Sequence, residues 1–260
     1  MITYKLLNKY NEIAHFCTSR EGGVSVGNYA SFNLSPFSGD NPAVVTRNQE
    51  LLCKQIGIDP EKLIIPYQTH GTEIREIDDA FFRLTTEKRA NYIYGVDALI
   101  TRLPQVCIGV TTADCVPLLF FDPIQKVIAV AHAGWRGTCE RIAEKTIAAL
   151  IVKFRSNPAE IMVAIGPSIS VKVYEVGKEV VENFDAARFD MHEIIEKRDA
   201  SYFLDLWTAN KQSLLKAGIL PEHIEIAGNC TFTEHERFFS ARQLGIKSGR
   251  MLSGIMLKGG

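Results

Sequence analysis

The stretch "ALITRLPQVCIGVTTADCVPLLFFDPIQKVIAVAHAGWRGT" (98–138) decides the fold. Two apolar, β-rich runs, 106–112 and 116–121, lead to Asp122-Pro-Ile-Gln125, with Pro123 suited to the second position of a type I turn. "KVIAVAH" (126–132) then returns, rich in β-branched residues, as the partner strand. This hairpin lies among strands and helices that otherwise alternate along the chain, so a purely parallel sheet is excluded. The expectation is an α/β or α+β fold, one domain over residues 1–260, with mixed β-sheets flanked by helices.

The surrounding segments fit that reading. Residues 40–57 read as a helix with Asp40 as N-cap, Pro42 in the first turn and Gly57 at its end. "KLIIPY" (62–67) and "TEIREI" (72–77) read as strands around a loop carrying His70, and 80–95 as helix or ordered loop. After "AGWRG", Thr138 is placed to cap a helix over 139–154, with Glu140 in its first turn. A strand at 160–169, helices at 176–184 and 205–218, and final strands at 223–230 and 250–257 complete the pattern. No repeat, low-complexity stretch or long polar linker divides it.

Composition narrows the function classes. The chain has 260 residues, 46% hydrophobic and 23% charged, with 29 Lys and Arg against 30 Asp and Glu and a net charge of -1. That is enough chain for a substantial core. The balance lacks the basic excess that nucleic acid or a membrane surface would favour. No apolar run nears the ~18 residues needed to cross a bilayer, and the N-terminus lacks the apolar core of a signal peptide. The expectation is a cytoplasmic protein, a monomer or weak dimer, without nucleic-acid or membrane partners. Six cysteines lie scattered with no CxxC pair, which excludes a zinc ribbon or a thioredoxin-type motif.

The hairpin also brings chemistry together. A turn that sets Asp122 opposite Gln125 sets Cys115 opposite His132, with Cβ atoms ~4.5–5.5 Å apart on one sheet face. Pro117 is the weak point, because it cannot donate to a ladder, and a one-residue slip would turn Cys115 to the other face. His70, next to Gly71 in "QTHGTE", is the third candidate, the glycine supplying the backbone freedom for the loop to turn. Three such donors with a fourth position open is the pattern of a catalytic zinc. The same residues could instead form a metal-free Cys–His pair with a thiolate nucleophile. Taken singly, each of these histidines, like Cys115, is more often structural; His15, His192, His223 and His235 have no such company. "HAGWRGT" adds two glycines, a helix start and Arg136, a weak pattern for an anion such as phosphate.

Taken in order, "QTHG", "TTADCVPLLFFDP", "AVAHAGWRGT", "AIGPSISVKVYEVG" and "CTFTEHERFFSARQLGIKSGR" resemble the landmarks of the bacterial YfiH-type family. That family is also called multicopper polyphenol oxidase-like or peptidoglycan editing factor-like. The resemblance runs from about residue 17 to the C-terminus. It implies mixed sheets flanked by helices and a metal, zinc with copper as the alternative, held by His70, Cys115 and His132. It implies phosphorolysis of adenosine, inosine, guanosine and methylthioadenosine with phosphate, and deamination of adenosine. Arg47, Arg136 and Arg242 are the candidates for phosphate or substrate. The other classes are a laccase-like copper oxidase of phenols, and a thiol hydrolase or peptidoglycan-editing factor. Ser168 stands where the family often has cysteine, and Gln49 and Gln243 stand where it often has arginine; Arg47 is the substitute on offer for Gln49.

Overall fold

A computed structural model describes residues 1–259. Among these the strands form three sheets. The largest runs in the order Ile224–Ile226, Met162–Ile165, Val116–Asp122, Val127–Ala133, Ala98–Thr101, Ile74–Glu76, with parallel outer pairings and antiparallel inner ones. A second runs Ile13–Cys17, Met251–Leu257, Cys107–Thr112, Leu63–Ile64, and only its last pairing is parallel. A small antiparallel sheet joins Ile195–Arg198, Ser201–Leu204 and Glu175–Val176. The expected mixed α/β architecture is therefore the observed one.

Side-chain alternation explains the layering. Leu118 and Phe120 turn to one face, into a cluster with Ile142, Ile147 and Leu150 of the helix Ile142–Phe154 and Leu214 of the helix Leu206–Lys216. Leu119, Phe121, Ile128 and Val130 turn to the other, against Ile108, Val110 and Ile255 of the second sheet. The far face of that sheet carries Cys107, Leu252 and Met256, which pack on Leu52 of the helix Pro42–Ile56. Helices, sheet, sheet and helix thus stack in four layers. Strands buried on both faces read as continuous apolar runs, and each fully buried aliphatic contributes about 1.5–3 kcal/mol.

Several local expectations are corrected. The hairpin connection is Pro123–Lys126: Asp122 pairs with Val127, and Pro117, not Cys115, pairs with His132. Asp122 Oδ1 accepts from the N–H groups of Ile124 and Gln125, and Lys126 takes φ 50°, which lengthens the turn by two residues. A slip of two keeps every side chain on its face. The His132 N–H donates to the carbonyl of Asp97, the residue before the neighbouring strand Ala98–Thr101, so the Pro117 position needs no donor toward His132.

At the first helix Asn41 is the cap, accepting from Ala43, while Asp40 is held by Ser25 and Asn33. The segment after Gly134 forms two helices, Trp135–Cys139 and Ile142–Phe154, broken at Arg141 with φ 65°. Thr138 lies inside the first and does not cap the second; its hydroxyl donates to Ala133 and accepts from Asn210. Arg141 is anchored in its left-handed conformation by its bond to the Ala187 carbonyl and its stacking over Phe189.

Candidate metal centre and its cavity

Cys115 sits on the bend that leads into the strand Val116–Asp122. Asp114 before it holds φ 91°, a conformation that Asp tolerates better than most residues. Its carboxylate accepts from Thr231 Oγ1 and the Arg242 N–H, each at 2.7 Å, and its carbonyl from Ile169. These bonds fix the bend. Odd positions along this strand face the second sheet with Leu119, and even positions from Ile128 to His132 face the same way. Cys115 and His132 therefore share a face although they are not direct partners.

His70 itself, not Gly71, takes the left-handed conformation, with φ 63°. The reason is Asp97. Its buried carboxylate accepts the backbone N–H groups of Thr69 at 3.2 Å, His70 at 3.0 Å and Gly71 at 2.8 Å, wrapping the loop around one side chain. Gln68 pins the loop from the other side, donating to the Thr111 carbonyl and accepting from its N–H and hydroxyl. Asp97 Oδ1 also lies 2.8 Å from His132 Nδ1, which leaves Nε2 of that ring free.

The result is one cluster. The donor atoms of His70, Cys115 and His132 lie within 4.8 Å of one another, and the two imidazoles meet edge to face at 4.8 Å. Tetrahedral zinc would bring such donors to ~3.5 Å of one another, a small contraction for an exposed His70. Gly134 keeps the space clear: a Cβ there would lie 3.1 Å from Cys115 Sγ and 3.2 Å from His70 Cδ2. Two imidazoles, one thiol and a cleared approach fit a soft or borderline metal ion.

The charges agree with the geometry. Burial opposes ionisation of Cys115, but His132 and then His70 outweigh it and bring the thiol down to about 6. Burial likewise opposes charge on His132, while Cys115 and Asp97 raise it to about 9. Asp97 is held below its ordinary value against the cost of burial, by His132 and the N–H groups of Gly71 and Thr69. Each member of the pair thus favours the charged form of the other, thiolate beside imidazolium.

All three donors line a cavity of about 1020 Å³. Of the three arginines proposed from sequence, only Arg242 lines it, with its guanidinium on the Glu175 carbonyl and 5.2 Å from the Tyr174 ring centre. Arg47 is exposed and paired with Glu50. Arg136 is exposed on its short helix, stacked over Trp135, which itself lines the cavity. The residues missed from sequence are Asp97, Lys247 and Arg250. Lys247 and Arg250 also line the cavity, and Arg250 braces its own loop through the carbonyls of Ser248, Gly249 and Ile246. Asp97 did leave a signal, an acid directly before the apolar "ALIT". Ser168 accepts the Trp207 indole N–H, and Gln49 donates to the Leu34 carbonyl, so both have local partners.

The fold is a layered α/β one, and His70, Cys115 and His132 form a candidate three-donor group on the wall of a large cavity. The family model described as "Multi-copper polyphenol oxidoreductase laccase" matches residues 14–258, and the chain belongs to that family. It is 46% identical to a Bacteroides thetaiotaomicron protein named purine nucleoside phosphorylase, covering 99% of this chain and 96% of the relative. It is 40% identical to adenosine deaminase RL5 from an unknown prokaryotic organism, covering 94% and 93%. Among solved structures, the Bacillus licheniformis hypothetical protein YfiH superposes with a TM-score of 0.90 at 31% identity, covering 95% and 94%. No helix among the described residues is long and apolar enough to cross a membrane.

Proposed function

We propose that the chain is a zinc-dependent purine nucleoside phosphorylase with adenosine deaminase activity, residues 1–260 acting as one catalytic domain. The observation that carries this reading is the cluster of His70, Cys115 and His132 on the wall of a cavity large enough for a nucleoside and phosphate. Relatives bearing both activities in their names support it. Bound zinc supplies a Lewis acid and a water acidified toward neutral pH. His70, Cys115 and His132 would hold it, and Asp97 keeps the His132 ring turned with Nδ1 engaged and Nε2 left for the metal.

Phosphorolysis brings an anion to a ribose carbon that gains positive charge as the base departs. Arg242, Lys247 and Arg250 line the cavity and give it a cationic wall for that anion, an attraction that strengthens where water is excluded. Deamination requires water at the purine ring carbon, which the same open centre would serve. The centre would be copper-loaded in the laccase reading that the family's description favours. Reduction of oxygen by four electrons calls for several coppers, and among the described residues this is the one group of three or more suitable donors.

The deciding experiment measures metal content after purification without added metal, then supplies adenosine and phosphate. Hypoxanthine or adenine with ribose 1-phosphate supports the proposal. Oxidation of a phenol without nucleoside turnover would replace it with the copper reading.

A further inference from the structure

Among the described residues Phe37 and Tyr94 are the only phenylalanine, tyrosine or tryptophan side chains that stand largely exposed, at 49% and 63%. Scattered exposed apolar residues are ordinary. These two are not scattered, because both pack on Tyr67. Tyr94 stacks on it with ring centres 4.6 Å apart and planes 8° from parallel, and Phe37 meets it edge-on at 4.8 Å and 73°.

The backbone holds this arrangement in place. The Tyr67 N–H donates to the Ile93 carbonyl at 3.0 Å, and the Gly95 N–H donates to the Tyr67 carbonyl at 2.9 Å. Tyr94 therefore covers one face of Tyr67, while Phe37 and Tyr67 form an aromatic corner. Both corner residues line the cavity that contains His70, Cys115 and His132, and Tyr67 lies three residues before His70.

We propose that the Phe37–Tyr67 corner, backed by Tyr94, is the subsite for the purine base. The proposal rests on the nucleoside reading above. A planar heterocycle can lay its face on one ring and its edge against the other, the two arrangements aromatic groups prefer. The exposure of Phe37 then has a cause: its ring is covered by substrate. A fused purine covers more of such a corner than a single pyrimidine ring, so stacking area sets a preference for purines. The corner also leaves the cationic wall of Arg242, Lys247 and Arg250 for phosphate.

Steady-state phosphorolysis of inosine tests this with wild type, Phe37→Ala, Phe37→Trp and Tyr94→Ala, each checked for metal content. Phe37→Ala is expected to raise KM for inosine about tenfold, the change that about 1.4 kcal/mol of lost stacking produces. kcat should fall far less, and KM for phosphate should hold. Phe37→Trp should restore the inosine KM, and Tyr94→Ala should move it in the same direction as Phe37→Ala by a smaller factor. An inosine KM unmoved in Phe37→Ala, or a phosphate KM rising in step with it, overturns the proposal while leaving the nucleoside reading standing. Wild-type protein that turns over no nucleoside overturns that reading, and the base subsite with it.

Discussion

Asp97 Oδ1 lies 2.8 Å from His132 Nδ1, and the same carboxylate accepts the N–H groups of Thr69, His70 and Gly71. One buried side chain thus orients one candidate ligand and shapes the loop that carries another. Partners of this kind commonly change metal affinity by ~10–100-fold when removed. Asp97→Ala should lower zinc affinity by at least that range, since two ligands lose their support together. Asp97→Asn should lose less, because an amide oxygen can still accept. Competition with a chelator measures both; wild-type affinity in Asp97→Ala would show that the loop and ring are held by other means.

Gly134→Ala tests whether the cluster needs close approach. The added Cβ would lie 3.1 Å from Cys115 Sγ, 3.2 Å from His70 Cδ2 and 3.8 Å from His132 Cε1. The expected outcome is reduced zinc occupancy with far-ultraviolet circular dichroism unchanged. Full occupancy in the variant would mean that His70 can withdraw and still bind.

Without metal, Cys115 and His132 should each make stability depend on pH. The folded Cys115 value, about 6, lies below the ordinary 9, so its contribution is present above 9 and lost as pH falls through about 6. The folded His132 value, about 9, lies above 6.5, so its contribution is present below 6.5 and lost as pH rises through about 9. The two run in opposite directions between about 6.5 and about 9, so their sum is nearly level there and falls only slightly as pH drops through about 6. The thermal midpoint of chelator-treated protein should therefore stay level across that window, and Cys115→Ser, which leaves His132 without its balancing thiol, should turn the level stretch into a slope. An identical profile in Cys115→Ser would remove the ion pair.

Much of this was legible in the sequence, and the rest was hidden for identifiable reasons. The apolar, β-branched runs on either side of Asp122-Pro-Ile-Gln125 gave the hairpin, and with it the common face of Cys115 and His132. The register was not legible, because the turn depends on the Asp122 side chain bonding to Ile124 and Gln125 and on Lys126 in a left-handed conformation. A propensity for Lys126 does not reveal that. The break at Arg141 was hidden for the same reason, since its bond to Ala187 is a contact between distant residues. Gly71 drew attention by residue type, whereas His70 carries the unusual backbone because Asp97, 27 residues on, binds the loop. Arg47 looked available only because its exposed pairing with Glu50 cannot be read from spacing to a cavity.

Cys107 and Leu119 separate packing from chemistry. Both are fully buried and neither touches the donor cluster by position: Cys107 packs on the helix side of the second sheet and Leu119 lies between the sheets. Leu119→Ala should cost about 2–5 kcal/mol of stability and Cys107→Ala about 1 kcal/mol. Denaturant unfolding of the metal-loaded protein measures each. Zinc content per folded molecule should remain that of the wild type in both.

The central claim is that Cys115, His132 and His70 form one zinc site that performs the nucleoside chemistry. The most direct measurement is zinc per chain, read alongside ribose 1-phosphate formation from inosine, in wild type, Cys115→Ala and His70→Ala. The account predicts close to one zinc in wild type, and zinc and turnover falling together in both variants while the fold persists. Full turnover in Cys115→Ala or His70→Ala, with zinc retained, would contradict it.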